Sequence, residues 1–195
     1  IALQIQRLER SLQDMDTYYA NLAKSELLVA PVLRAIPETE VYYMAAVAPY
    51  ASIGSLCAKL AAQFDHLPSD ATFVTIFDTA DYAPAGAPIR VGVVNTPQLR
   101  LSTDAKDVRT TVIPAYDSLV HTHRGDGSLL SILWGDLGKY RREHNLKSPQ
   151  HIDFYELEYY HRVTHPLYEN EIEVEMHLPV VRDTKHATPV ATAVH

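Results

Sequence analysis

The run DFYELEYYH at 153–161 sets two glutamates, Glu156 and Glu158, among Phe154, Tyr155, Tyr159 and Tyr160. Burying a carboxylate without a partner costs several kcal/mol, on the scale of a whole domain's stability. Side chains alternate between the two faces of a strand. Ile152, Phe154, Glu156, Glu158 and Tyr160 therefore share one side; Asp153, Tyr155, Leu157, Tyr159 and His161 share the other. A carboxylate among aromatic rings suits a cation, because ion pairing is reinforced by cation–π attraction of about 0.5–2 kcal/mol per ring. Ring faces and a single charge constrain shape only loosely, so such a site accepts many ligands. Glu156 is the expected ligand carboxylate, with Tyr160 and Phe154 beside it. Tyr43, Tyr82, Tyr116 and Trp134 are further candidates to line the site, Glu175 an outer contact, and Glu158 a rim charge.

Other chemistries find less support. His121 and His123 lie two residues apart, and His161 and His165 fall close together, but a metal needs three or four converging donors. No H-E-x-x-H occurs, so no metal and no cofactor are expected. The GDG at 125–127 lacks a following G-K-[ST] and reads as a turn. No G-x-S-x-G elbow is present. Cys57, the single cysteine, falls on the apolar face of a predicted helix and reads as inert filler. One cysteine forms no intrachain disulfide and fits a reducing cytoplasm, the expected location. The net charge of −7, with basic residues dispersed, gives this segment no stripe for phosphate backbones. No apolar run reaches the roughly 18 residues of a membrane span.

The elements that must position these residues fall into three parts. Residues 1–30 read as a helix in which Ile1, Ile5, Leu8, Leu12, Met15, Tyr19 and Leu22 alternate spacings of four and three. This is a coiled-coil seam, so dimerisation is expected through Ile5, Leu8, Leu12, Met15, Tyr19 and Leu22; the plainer reading packs this helix on its own domain. Residues 38–181 read as β-α-β-β twice, an α+β domain with one antiparallel sheet and both helices on one face. In EIEVEMHLP at 171–179, Ile172, Val174, Met176 and Leu178 alternate with charged residues, the pattern of one core-facing side. The face away from the helices is expected to be a concave, aromatic-lined cup holding a carboxylate. Residues 182–195 read as a disordered tail.

Asp153–Leu157 (DFYEL), then Ile172–Met176 (IEVEM) and Pro179, resemble the GyrI-like effector-binding domain of MerR-type multidrug-responsive transcription regulators. Ala71–Phe73 (ATF) and Asn95–Pro97 (NTP) fit its first repeat. The heptad helix sits where MerR-type proteins keep their dimerising helix. The resemblance implies a pseudo-two-fold pair of β-α-β-β units cupping a pocket. It also implies that Glu156, in the Y-E-L motif, contacts lipophilic, aromatic cations, although Ile172 stands where some relatives have tyrosine. The chain is then expected to be the sensing and homodimerising part of a regulator, reaching DNA through a winged helix preceding Ile1. The alternative is a GyrI-like hydrolase of reactive xenobiotics, with Glu156 as general base.

Overall fold

The computed structural model describes residues 5, 29–79, 83, 86–125, 127–161 and 172–181. Ile5 is helical, but the rest of the heptad seam (Leu8, Leu12, Met15, Tyr19, Leu22) lies outside the described residues, as does Tyr82. The first repeat runs β2 (Thr39–Ala48), α1 (Ile53–Ala61), β4 (Phe73–Phe77) and β5 (Ala87–Val94). The second runs β8 (Tyr116–Gly125), α2 (Leu130–Glu143), β9 (Glu156–Tyr160) and β10 (Ile172–Val180). A leading strand precedes each repeat: β1 (Val32–Ile36) before the first, β7 (Arg109–Ile113) before the second. β3 (Phe64–His66) and β6 (Arg100–Leu101) form a separate two-stranded ribbon.

The main sheet is antiparallel throughout, in the order β1-β8-β10-β9-β4-β5-β2-β7. Each leading strand pairs with the other repeat, β1 with β8 and β7 with β2. The sequence predicts one extended segment from Val108 to Thr122. The structure divides it at Pro114-Ala115, because proline cannot donate to a ladder. β1, bracketed by Pro31 and Pro37, is an addition to the predicted strands.

These exchanges force the sheet to curl. Only Pro37 and Glu38 separate β1 from β2, so Ile36 and Thr39 are at most about 11 Å apart. In a flat sheet, β1 and β2 would stand six strand spacings apart, about 29 Å. The same constraint acts between Ile113 and Tyr116. The curl brings Val41, Ile113, Tyr116 and Phe154 over Val74, Ile76, Leu157 and Tyr159 as a second core. On the other face, Cys57 and Leu60 of α1 and Leu133 and Leu137 of α2 share one core with Val91, Val93, Met176 and Leu178. Both helices therefore lie on one face. The concave face away from them is filled by its own apolar core, which corrects the expectation of a cup there.

Gly92 of β5 sits between the neighbouring strands β2 and β4, where a side chain has little room. A Cβ there would lie 3.0 Å from the Tyr42 carbonyl oxygen and 3.1 Å from Val74 Cγ1. Gly92→Ala is expected to lower stability by about 1–3 kcal/mol through overpacking, measured as a fall in the urea midpoint.

Candidate functional site

α1 packs over β5 and β2, and α2 over β10 and β8, so the central strands β4 and β9 run beneath the gap between the helices. Residues directly opposite in an antiparallel pair point to the same face. The ladder sets Phe73 opposite Tyr160, Thr75 opposite Glu158 and Phe77 opposite Glu156. The middle pair, Thr75 and Glu158, sits at the centre of this seam between the repeats.

Glu158 is 3% exposed. Its Oε1 accepts the Trp134 Nε1–H at 2.8 Å, and its Oε2 accepts the Tyr160 hydroxyl at 2.5 Å. Burial pushes its carboxyl pKa up, against the pull of these two donors. Its charge in turn acts with burial to push the Cys57 thiol up to about 12. Thr75 Oγ1 is fully buried without a hydrogen-bond partner among the described residues. It lies near enough to the Tyr160 hydroxyl to draw that phenol's pKa down slightly, against burial, but outside bonding geometry.

Glu156, two residues nearer the start of β9, is only partly buried. Burial, and then repulsion from Glu158, raises its carboxyl to about 7, while Arg141 on α2 pulls it down. Above it runs a chain of rings crossing the gap. Tyr50, in the turn before α1, meets Phe77 edge to face at 5.6 Å, and Phe77 meets Trp134 at 6.5 Å. Among the described residues, no Arg, Lys or His stands within ion-pair distance of either glutamate. The arrangement is thus an acidic pair under aromatic rings, its buried member held by two neutral donors.

No family model and no curated protein sequence matches the chain. Solved structures do. The cryo-EM structure of the EcmrR–DNA complex matches with a TM-score of 0.64 and 20% identity, over 93% of this chain and 70% of that one. The crystal structure of the EcmrR C-terminal domain gives 0.63 and 18%, over 80% of this chain and 99% of that one. The fold is the GyrI-like one. SAV2435 bound to tetraphenylphosphonium matches at 0.50 and 11%, over 78% and 94% of the two chains. A hydrolase from Listeria innocua matches at 0.50 and 12%, over 87% and 97%.

On this GyrI-like sheet the expected ligand residues divide between the two faces. Glu156, Tyr160 and Trp134 come together on the helix-bearing face. Phe154 does not join them. It precedes β9, so strand alternation does not govern it, and it packs on Tyr116 in the second core at 5.5 Å between ring centres. Tyr43 alternates with Tyr42 and Met44, which face the helices, and so points to the concave side. Tyr116 and Glu175 also lie on that side. Glu158, expected at the rim, is the buried member of the pair. Thr75, Phe77 and Tyr50 are additions that no spacing in the sequence singles out.

The concave face carries its own polar chain. Tyr116 Oη donates to His177 Nδ1 at 2.9 Å, and His177 Nε2–H donates to Glu175 Oε2 at 3.2 Å. Arg34 of β1 pairs with the same Glu175 oxygen. Burial favours neutral His177, which is the form this pattern of one acceptor and one donor nitrogen requires. The hydrogen bond from His177, then Arg34, hold the Glu175 carboxyl down at about 2. Tyr116→Phe strands the buried Nδ1 and is expected to cost about 1–3 kcal/mol in urea unfolding. An unmoved midpoint would show that the bond carries no stability.

Among the described residues, no three His, Cys, Asp or Glu side chains gather at metal-binding spacing. Nor is any described helix long and apolar enough to cross a membrane.

Proposed function

We propose that the chain is the ligand-sensing part of a cytoplasmic transcription regulator, and that it takes a lipophilic aromatic cation between α1 and α2. The observation that carries this is Glu158, a buried carboxylate held by two neutral donors, with no cation within ion-pair distance among the described residues. A bound cation supplies the missing charge, and Trp134 supplies a ring face. Tetraphenylphosphonium in SAV2435 and DNA in the EcmrR complex support the two halves of this reading. In it, a DNA-binding unit responds to the sensor, and two copies pair through the helix at 1–30. Ligand shifts such a regulator only by binding one global state better than the other, typically by a few kcal/mol.

Trp134 is the single tryptophan and donates directly to Glu158, so it reports on the site. Titrating the full chain with tetraphenylphosphonium is expected to change its fluorescence along a saturable curve. A flat or non-saturating response rejects the sensor reading. One observation favours a second reading as a hydrolase: a carboxyl near 7, such as Glu156, suits general acid–base work at neutral pH. Turnover of activated esters or epoxides that disappears in Glu156→Gln would establish it.

A further inference from the structure

We infer that this site is built for a ligand with two positive charges, the inner one a protonated nitrogen on Glu158 and the outer one on Glu156. The inference rests on the cation-binding reading above and adds the ligand's charge and chemical class.

Three observations carry it. First, Glu156 and Glu158 are two apart on one strand, so they share a face about 6.6 Å apart along it. One is buried and the other partly open, an inner and an outer station rather than one shared position. Second, neither has an ion-pair partner among the described residues. A monocation on Glu158 would leave Glu156 with Arg141 as its one attracting charge, outside ion-pair distance, among the described residues. The charged groups bearing on Glu156 are Glu158 beside it, which repels, and Arg141 on α2, which attracts; opposite it on β4 stands the uncharged Phe77.

Third, Thr75 Oγ1 faces the inner station, fully buried and without a hydrogen-bond partner among the described residues. A phosphonium or quaternary ammonium has no hydrogen to offer it. A protonated amine or amidine does, and satisfies Glu158 and Thr75 together. Phe77 stands opposite Glu156 and Trp134 bonds Glu158, the two rings meeting edge to face, so a spacer joining the stations would lie against aromatic rings and is itself best aromatic. The ligand class is therefore a short aromatic diamine or diamidine.

A matched pair tests this: para-xylylenediamine against para-methylbenzylamine, which differ by one ammonium group. Calorimetric titration of the full chain at pH 8 is expected to show the diamine binding at least about tenfold more tightly. Glu156→Gln, with Glu156→Ala as a second variant checked for an unchanged fold by circular dichroism, is expected to abolish that preference. So is lowering the pH to 6, where Glu156 takes up its proton. Thr75→Val is expected to weaken both amines several-fold and leave tetraphenylphosphonium unaffected. Equal affinities in the native chain, or a preference that survives Glu156→Gln, overturn the inference. If tetraphenylphosphonium still binds in that event, the cation-sensing reading stands without it. If none of the three cations binds, both fall.

Discussion

Replacing Glu158 by glutamine is expected to weaken tetraphenylphosphonium binding on the order of a hundredfold while raising the melting temperature. Two unit charges 4 Å apart attract by about 4 kcal/mol at an effective dielectric of 20. Losing roughly two-thirds of that corresponds to the stated factor. The stability gain comes from the opposite side of the same interaction. In the ligand-free protein Glu158 is buried with its charge opposed by burial, so a neutral side chain of the same shape removes a penalty of about 1–3 kcal/mol. Glutamine keeps the hydrogen bonds: its carbonyl accepts from Trp134 Nε1, and its amide donates to the Tyr160 hydroxyl oxygen. Fluorescence titration and a thermal melt on the same preparation decide it. Lost binding with lost stability would make Glu158 a structural residue; unchanged binding would remove it from the site.

The second large effect is on stability against pH. Glu156 titrates at about 7 in the folded chain against 4.5 ordinarily. Its raised value means that the folded state holds the proton more tightly. The stability this provides is complete below pH 4.5 and lost as the pH rises to about 7. At 1.36 kcal/mol per unit the loss is on the order of 3 kcal/mol. For a chain of this size that is a fall of about 6–12 °C in melting temperature. Glu158 acts in the same direction. His177 and His121 act against it: burial lowers both below 6.5, so their contribution is complete above 6.5 and declines as the pH falls. Glu175, held at about 2, contributes stability above pH 4.5 that disappears in stronger acid. The decisive measurement is therefore the difference between the native chain and Glu156→Gln, melted at pH 5 and pH 8. The variant is expected to gain at pH 8 and not at pH 5. A gain independent of pH would mean that the carboxyl at 156 titrates normally.

The alternation of Val174, Met176 and Leu178 with Glu173, Glu175 and His177 identified the core side of β10, and the structure keeps that division. The order of strands and helices was equally legible, because each element carries its own local period. Legibility stopped where long-range pairing decides. Which of two glutamates on one face is buried depends on where Trp134 arrives from α2, and nothing near 156–158 encodes that. Phe154 was misplaced because alternation was extended past the first residue of β9. β1 gains its strand identity from pairing with β8, about eighty residues away, and from two flanking prolines. The filled concave face followed from the same exchange. Aromatic residues there looked like the lining of a cup, since a local pattern does not distinguish a ring facing a ligand from one facing the opposite wall.

The exchanged leading strands make the sheet behave as a clasped band rather than two plates meeting at a seam. Each half is latched to the other at both ends, so the strands under Glu158 cannot part without straining the clasps. A load applied at the centre must travel around the circumference. One clasp is β1, tied through Arg34 to Glu175 on β10, the strand next to the one that carries Glu158. Bending at the middle and tension at β1 are thereby two ends of one mechanical element.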